Sequence, residues 1–95
     1  MKTNEFLFEI YSSDGKKFSS PVSELTVKTS NGEIGILKGH YPLVAFLDIS
    51  IFNATIDNKK IYFAVSGACL HVKENKAVIL ADTFETRDEL DKNRI

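Results

Sequence analysis

Gly32-Glu33-Ile34-Gly35-Ile36-Leu37-Lys38-Gly39-His40-Tyr41-Pro42-Leu43-Val44 sets three glycines and a proline among aliphatic side chains. Glycine at this density marks backbone that takes positive φ or lies close to another backbone. A flexible linker would be polar instead, so the segment reads as a shaped, packed loop. Gly32, Gly35 and Gly39 are read as conformational, and Pro42 biases Tyr41 toward extended geometry. A phosphate cradle fits poorly. It needs Gly-Lys-Ser or Gly-Lys-Thr opening a helix after a strand, and these glycines lie between strand-like runs.

Upstream, Phe6, Phe8 and Ile10 alternate with Leu7, Glu9 and Tyr11, the period of a half-buried strand. Asp14-Gly15 marks a turn. Phe18 and Val22 to Val27 form the next extended stretch, and Pro21, lacking an N–H, belongs at a strand start or edge. Val22, Leu25 and Val27 slip phase once, which predicts a bulge near Ser23 or Glu24. Asn31-Gly32 is a second turn signal. Downstream, apolar runs cover 43–47 and 49–52, and Asp57-Asn58 turns. Ile61, Phe63 and Val65 alternate until Ser66-Gly67, which reads as a strand break. Leu70 and Val72 resume, and Glu74-Asn75 turns into 77–81.

Turns this frequent predict an all-β fold, a flattened β-sandwich or barrel of about 8–10 short strands. It is assigned to residues 1–84. Over 85–95 the pattern changes to charged helix formers. Thr86 with Glu89 has capping-box spacing, and Asp88, Glu89 and Arg94 suit the helix dipole. So short a helix is marginal alone in water. The expectation is a short helical C-terminal remnant, the opening of something longer.

Ninety-five residues with 43% hydrophobic content make one domain with one core. A net charge of −1 argues against nucleic acid as a main partner. The apolar runs are too short for a membrane span, so no direct membrane insertion is expected. The start at Met1 runs directly into a strand and shows no signal peptide. Cys69, the one cysteine, cannot form an internal disulfide, fits a reducing compartment and reads as a small buried hydrophobe. His40 and His71 lie in different strands without a Cys/His cluster, so no metal site is read. The serines lack a histidine–acid set at a diagnostic spacing, so no catalytic residue and no cofactor are assigned. Asn53-Ala54-Thr55 is an incidental glycosylation triplet.

Taken in order, three segments resemble the N-terminal domain of the epsilon subunit of F-type ATP synthases. They are Phe8 to Phe18 with its turn, Gly32 to Leu43 with its histidine and proline, and Phe63 to Val72. Ile79 to Thr83 resembles the end of that sandwich, and Leu90 to Arg94 the start of the first C-terminal helix. Ala68 stands where a second glycine often follows Gly67. The resemblance covers nearly the whole chain, with the helical hairpin largely absent.

The resemblance implies a non-catalytic central-stalk, or rotor, subunit at the foot of a rotary motor. Such a subunit docks on the gamma subunit and the c-ring, one copy per complex, at the cytoplasmic face of a bacterial cell membrane. It couples ion-driven rotation to ATP synthesis. It also implies an interface at Asn31, Gly32, Glu33, Ile34, Gly35, His40, Tyr41 and Pro42, with Glu33 toward the c-ring. His40 is read either as an interface residue or as a hydrogen-bonding element of its own loop. Docking predicts exposed apolar side chains around 34–47. Asp91 and Arg94 match a family motif that holds ATP, although Ile95 replaces its alanine. An alternative is therefore an ATP-sensing regulator that restrains hydrolysis. A second alternative is an unrelated β-sandwich binding module.

Overall fold

The computed structural model describes residues 3–29 and 32–86, with backbone alone at 48–50 and 84–86. Eight strands are found among them: β1 (Phe6–Ser12), β2 (Gly15–Val22), β3 (Glu24–Thr29), β4 (Gly32–Ile36), β5 (Leu43–Ile56), β6 (Lys59–Lys73), β7 (Lys76–Leu80) and β8 (Thr83–Thr86). The all-β expectation holds for these residues. Of the helical segment expected over 85–95, residues 87–95 lie outside them; Thr86, expected as its N-cap, instead ends β8 in extended backbone.

Hydrogen bonding joins the strands in the order β2-β1-β7-β6-β5-β3-β4, with β8 also on β6. All pairs are antiparallel except β1 with β7. The long β5–β6 hairpin is common to two layers. Its first layer contains 43–47 of β5 and 69–73 of β6, the latter paired with β7. Its second layer contains 53–55 of β5, paired with β3, and 63–66 of β6, paired with β8.

The corner between the layers lies at Gly67. Along β6 the buried positions are Phe63 and Val65 before it, then Ala68, Leu70 and Val72 after it. The inward parity therefore changes from odd to even. Along β5 the same change separates Leu47 from Phe52 and Ala54. Gly67 takes φ +57 in mid-strand, and the carboxyl of Asp82 fills the space a Cβ would need. The Asp82 N–H donates to the carbonyls of Ser66 and Gly67, at 3.1 and 3.3 Å. The chain thus passes from β7 in one layer to β8 in the other directly over the bend. The expected break at Ser66-Gly67 is corrected accordingly: the strand continues and turns.

Phase slippage near Ser23 has a related cause. No bulge forms there; Ser23 bends the chain from β2 in the first layer to β3 in the second, and its N–H donates to Thr55 O at 2.9 Å. Val22 faces the core from one layer, and Leu25 and Val27 from the other. The bulge itself falls between Ile10 and Tyr11, where the pairing moves from Phe18 to Lys16 and skips Lys17. Pro21 lies on β2, an edge strand, as its missing donor requires.

Between the layers sits an aromatic cluster. Phe8 of β1 meets Phe52 and Phe63 edge-on, each at 5.9 Å between centroids, and Phe52 stacks on Phe63 at 5.2 Å. Phe18 closes on Phe63 at 5.0 Å. Offset and edge-to-face pairs add to the area term of burial, so the two layers are registered by ring geometry as well as by hydrophobicity.

The corner generates a prediction. Gly67→Ala should lose about 1–2 kcal/mol from its left-handed backbone, and more from the displaced Asp82. Combining it with Asp82→Ala should return only the steric part. Urea denaturation of the wild type, both single variants and the pair measures the two contributions. Unchanged stability of Gly67→Ala would refute this account of the bend.

Candidate docking face

Alternation places two rows of side chains on the outer face of the first layer. Phe46, Cys69, Leu80 and Tyr11 are paired in register across β5, β6, β7 and β1. Val44, His71, Val78 and Glu9 form the neighbouring row. Phe46 is 77% exposed, Val44 59% and Leu80 55%. Leu37 and Tyr41, in the loop that leads into β5, are also exposed. Among the described residues, 43–47 of β5 pair on one side only, with β6. An edge strand with apolar side chains in water is a liability unless something covers it. The expectation of exposed apolar residues around 34–47 is met by Leu37, Tyr41, Val44 and Phe46.

Cys69 is half-buried and faces outward between Phe46 and Leu80, which corrects the reading of a core residue. Beside it a shallow depression of about 390 Å³ is lined by Tyr11, Leu80, Ala81 and Asp82 among others. Among the described residues no three His, Cys, Asp or Glu side chains gather closely enough to hold a metal ion.

The second row ends in a buried carboxylate. The Glu9 side chain is only 7% exposed, and Lys16 and Lys76 approach its two oxygens at 3.4 and 3.3 Å. The Tyr11 hydroxyl donates to one oxygen at 3.3 Å and the Ser19 hydroxyl to the other at 3.2 Å. Burial pushes the Glu9 carboxyl up, but the Lys76 and Lys16 ammonium groups outweigh it and hold the group below the ordinary 4.5. The alternation of β1 places Glu9 only on the face opposite Phe8 and Ile10. Nothing in a single strand reveals that lysines from two neighbouring strands close over it.

The interface residues read from the sequence fall in two places. Gly32 and Glu33 lie exposed at the start of β4, where the Thr29 hydroxyl donates to Gly32 O at 3.0 Å. Ile34 packs against the core instead. Gly35 is ordinary extended strand, not a conformational necessity; a Cβ there would meet only a Glu24 carboxylate oxygen at 3.8 Å. At the other end of β4 the loop 37–42 carries His40, Tyr41 and Pro42. His40 Nδ1–H donates to Tyr41 O at 2.7 Å, its ring lies 4.6 Å from that of Tyr41, and its N–H donates to Leu37 O at 3.1 Å. The intraloop role of His40 is thus present, and Tyr41 is left exposed. Asn31, Asp91 and Arg94 lie outside the described residues.

Leu80 carries no functional signal in the sequence, where it reads only as part of a strand. The signal for the face itself was available in 43–47, which is apolar on both of its sides.

Residues 5–87 match the family described as ATP synthase, Delta/Epsilon chain, beta-sandwich domain. An ATP synthase epsilon chain from Desulfitobacterium hafniense strain Y51 is 34% identical over 89 residues, covering 94% of this chain and 67% of that one. Another from Bacillus cytotoxicus is 37% identical over 94 residues, covering 99% and 69%. The chain also resembles a solved chain of the Euglena gracilis mitochondrial ATP synthase, in an OSCP, F1 and c-ring assembly. That match has a TM-score of 0.81 at 25% identity and covers 95% of this chain and 58% of its counterpart. The chain spans about two thirds of the length of the bacterial relatives.

The buried carboxylate carries a pH prediction. A group held below its ordinary value contributes its stability fully above pH 4.5 and loses it as pH falls through the folded value. Glu9→Gln should therefore be less stable than wild type near neutrality, with the gap closing in acid. Asp14, lowered by the Ser12 hydroxyl and Lys17, leaves some acid slope in both proteins. Urea midpoints between about pH 3 and pH 7 measure this; parallel pH profiles would contradict it.

Proposed function

The chain belongs to the ATP synthase delta/epsilon β-sandwich family, and from that premise we propose that it is a non-catalytic central-stalk subunit of a rotary ATP synthase. It docks on the gamma subunit and on the c-ring and helps carry ion-driven rotation to the catalytic head. The observation that carries this reading is the exposed apolar strip formed by Phe46 and Leu80 of one row and Val44 of the next, beside the loop that displays Tyr41. An apolar strip on a small domain wants an apolar partner, and we assign it to gamma. The polar turn at Gly32 and Glu33 suits polar loops of the c-ring.

One copy serves each complex, at the cytoplasmic face of a bacterial cell membrane and held there through its partners. No helix among the described residues is long and apolar enough to cross a membrane. The chain supplies shape complementarity and no active site. The ATP-sensing alternative rests on Asp91 and Arg94 and gains no support from the described face.

Co-purification with gamma and the c-ring tests the proposal; failure to join either would overturn it. Phe46→Ala should retain the fold, because the ring is mostly in solvent, yet weaken gamma binding by about tenfold or more, as for a buried aromatic anchor. Glu33→Gln should weaken c-ring association far less, since an exposed ion pair is worth ~0–1 kcal/mol. Titration of labelled subunits measures both.

A further inference from the structure

The β6–β7 hairpin turns through Glu74 and Asn75, both at positive φ, 52° and 60°. The β5–β6 hairpin turns the same way through Asp57 and Asn58, at 51° and 66°. In both, two residues link a directly paired couple, Lys73 with Lys76 and Ile56 with Lys59. Glycine is the least strained residue at the second turn position; asparagine there adds a polar side chain. Asn75 Oδ1 accepts a hydrogen bond from the Gly39 N–H at 3.0 Å, and Asn75 O accepts from the Leu7 N–H at 3.2 Å. One residue thus joins the start of β1, the β6–β7 turn and the loop 37–42. Next to it the Lys38 ammonium donates to Thr3 O at 2.7 Å. Gly39 itself takes φ +87, so its N–H is aimed by a backbone that other residues rarely adopt.

We infer that Asn75 is a positioning residue for docking: its side-chain carbonyl fixes the loop that presents His40, Tyr41 and Pro42 to the partner. The inference rests on the docking role proposed above. Asn75 itself is exposed and contributes orientation of that loop, not apolar contact. With the anchor gone, the turn would persist while the loop sampled other conformations, and binding would bear the entropy of ordering it.

The paired hairpins provide the test. Asn75→Gly keeps or improves the turn but removes the acceptor. Asn75→Asp keeps an acceptor oxygen at the same place. Asn58→Gly makes the same backbone change at the opposite end of β6. In the free protein, Gly39 amide exchange should quicken in Asn75→Gly and stay near wild type in Asn75→Asp and Asn58→Gly. Gamma affinity should fall about 2- to 10-fold in Asn75→Gly alone, the equivalent of one hydrogen bond, with urea stability undiminished. Unchanged Gly39 exchange in Asn75→Gly would overturn the anchor. Faster exchange with undiminished gamma affinity would overturn its role in docking. A wild-type chain that binds neither gamma nor c-ring would instead remove the docking proposal, and the role of Asn75 with it, while the Gly39 readout still judged the anchor.

Discussion

One hairpin has to belong to two layers, and the rest of the domain is arranged around that constraint. β5 and β6 are each too long for one layer of so small a body, so both bend, and the inward parity of both reverses at the bend. A strand cannot change parity without a local departure from the pleat. Gly67 supplies the departure at positive φ, and Asp82 takes up the volume that a side chain would have claimed. The crossing from β7 to β8 is held on the same spot by the Asp82 N–H. Bend and crossing therefore stabilise one another, and the aromatic cluster of Phe8, Phe18, Phe52 and Phe63 fills the interior they enclose.

The same bend makes an edge. Because β5 leaves the first layer beyond 47, its opening segment has hydrogen-bonding partners on β6 alone among the described residues. Phe46 and Val44 stand there in water, in register with Leu80 and Val78. At the far side of the layer Glu9 is buried with two lysines and two hydroxyl donors. A buried ion pair seldom exceeds a hydrophobic substitute in net stability. Here it ends the apolar strip with polar groups that partner one another.

Much of this was legible in the sequence, because turns and alternation are local. The positive-φ pairs Asp57-Asn58 and Glu74-Asn75 fall where turn chemistry puts them, and Pro21 lies on an edge strand. Two expectations fail where the chain changes layer. Ser66-Gly67 reads as an end because a glycine in a strand looks like a stop, although it can equally be a corner. The phase slip at Val22 reads as a bulge because parity alone does not distinguish an extra residue from a change of layer. The roles of Glu9 and Asn75 are not legible for another reason: the lysines that pair with Glu9, Lys16 and Lys76, and the Gly39 N–H that Asn75 accepts from come from other segments of the chain.

Rigidity links these features to the proposed role. A subunit that acts by shape alone needs contact surfaces that keep their geometry relative to one another, because ordering them on binding costs free energy. The apolar row sits on strands whose registration is fixed by the core, so it moves with the body. The loop 37–42 has no such ladder. Its stiffness comes from four hydrogen bonds: the Lys38 ammonium to Thr3, the Gly39 N–H to Asn75, and both of those made by His40. Three of the four join loop backbone groups to partners whose positions are set locally or by β6 and β7. A docking surface composed of a rigid strip and a separately tethered loop can therefore present both to a partner as one shape, which is the condition for transmitting force without an active site.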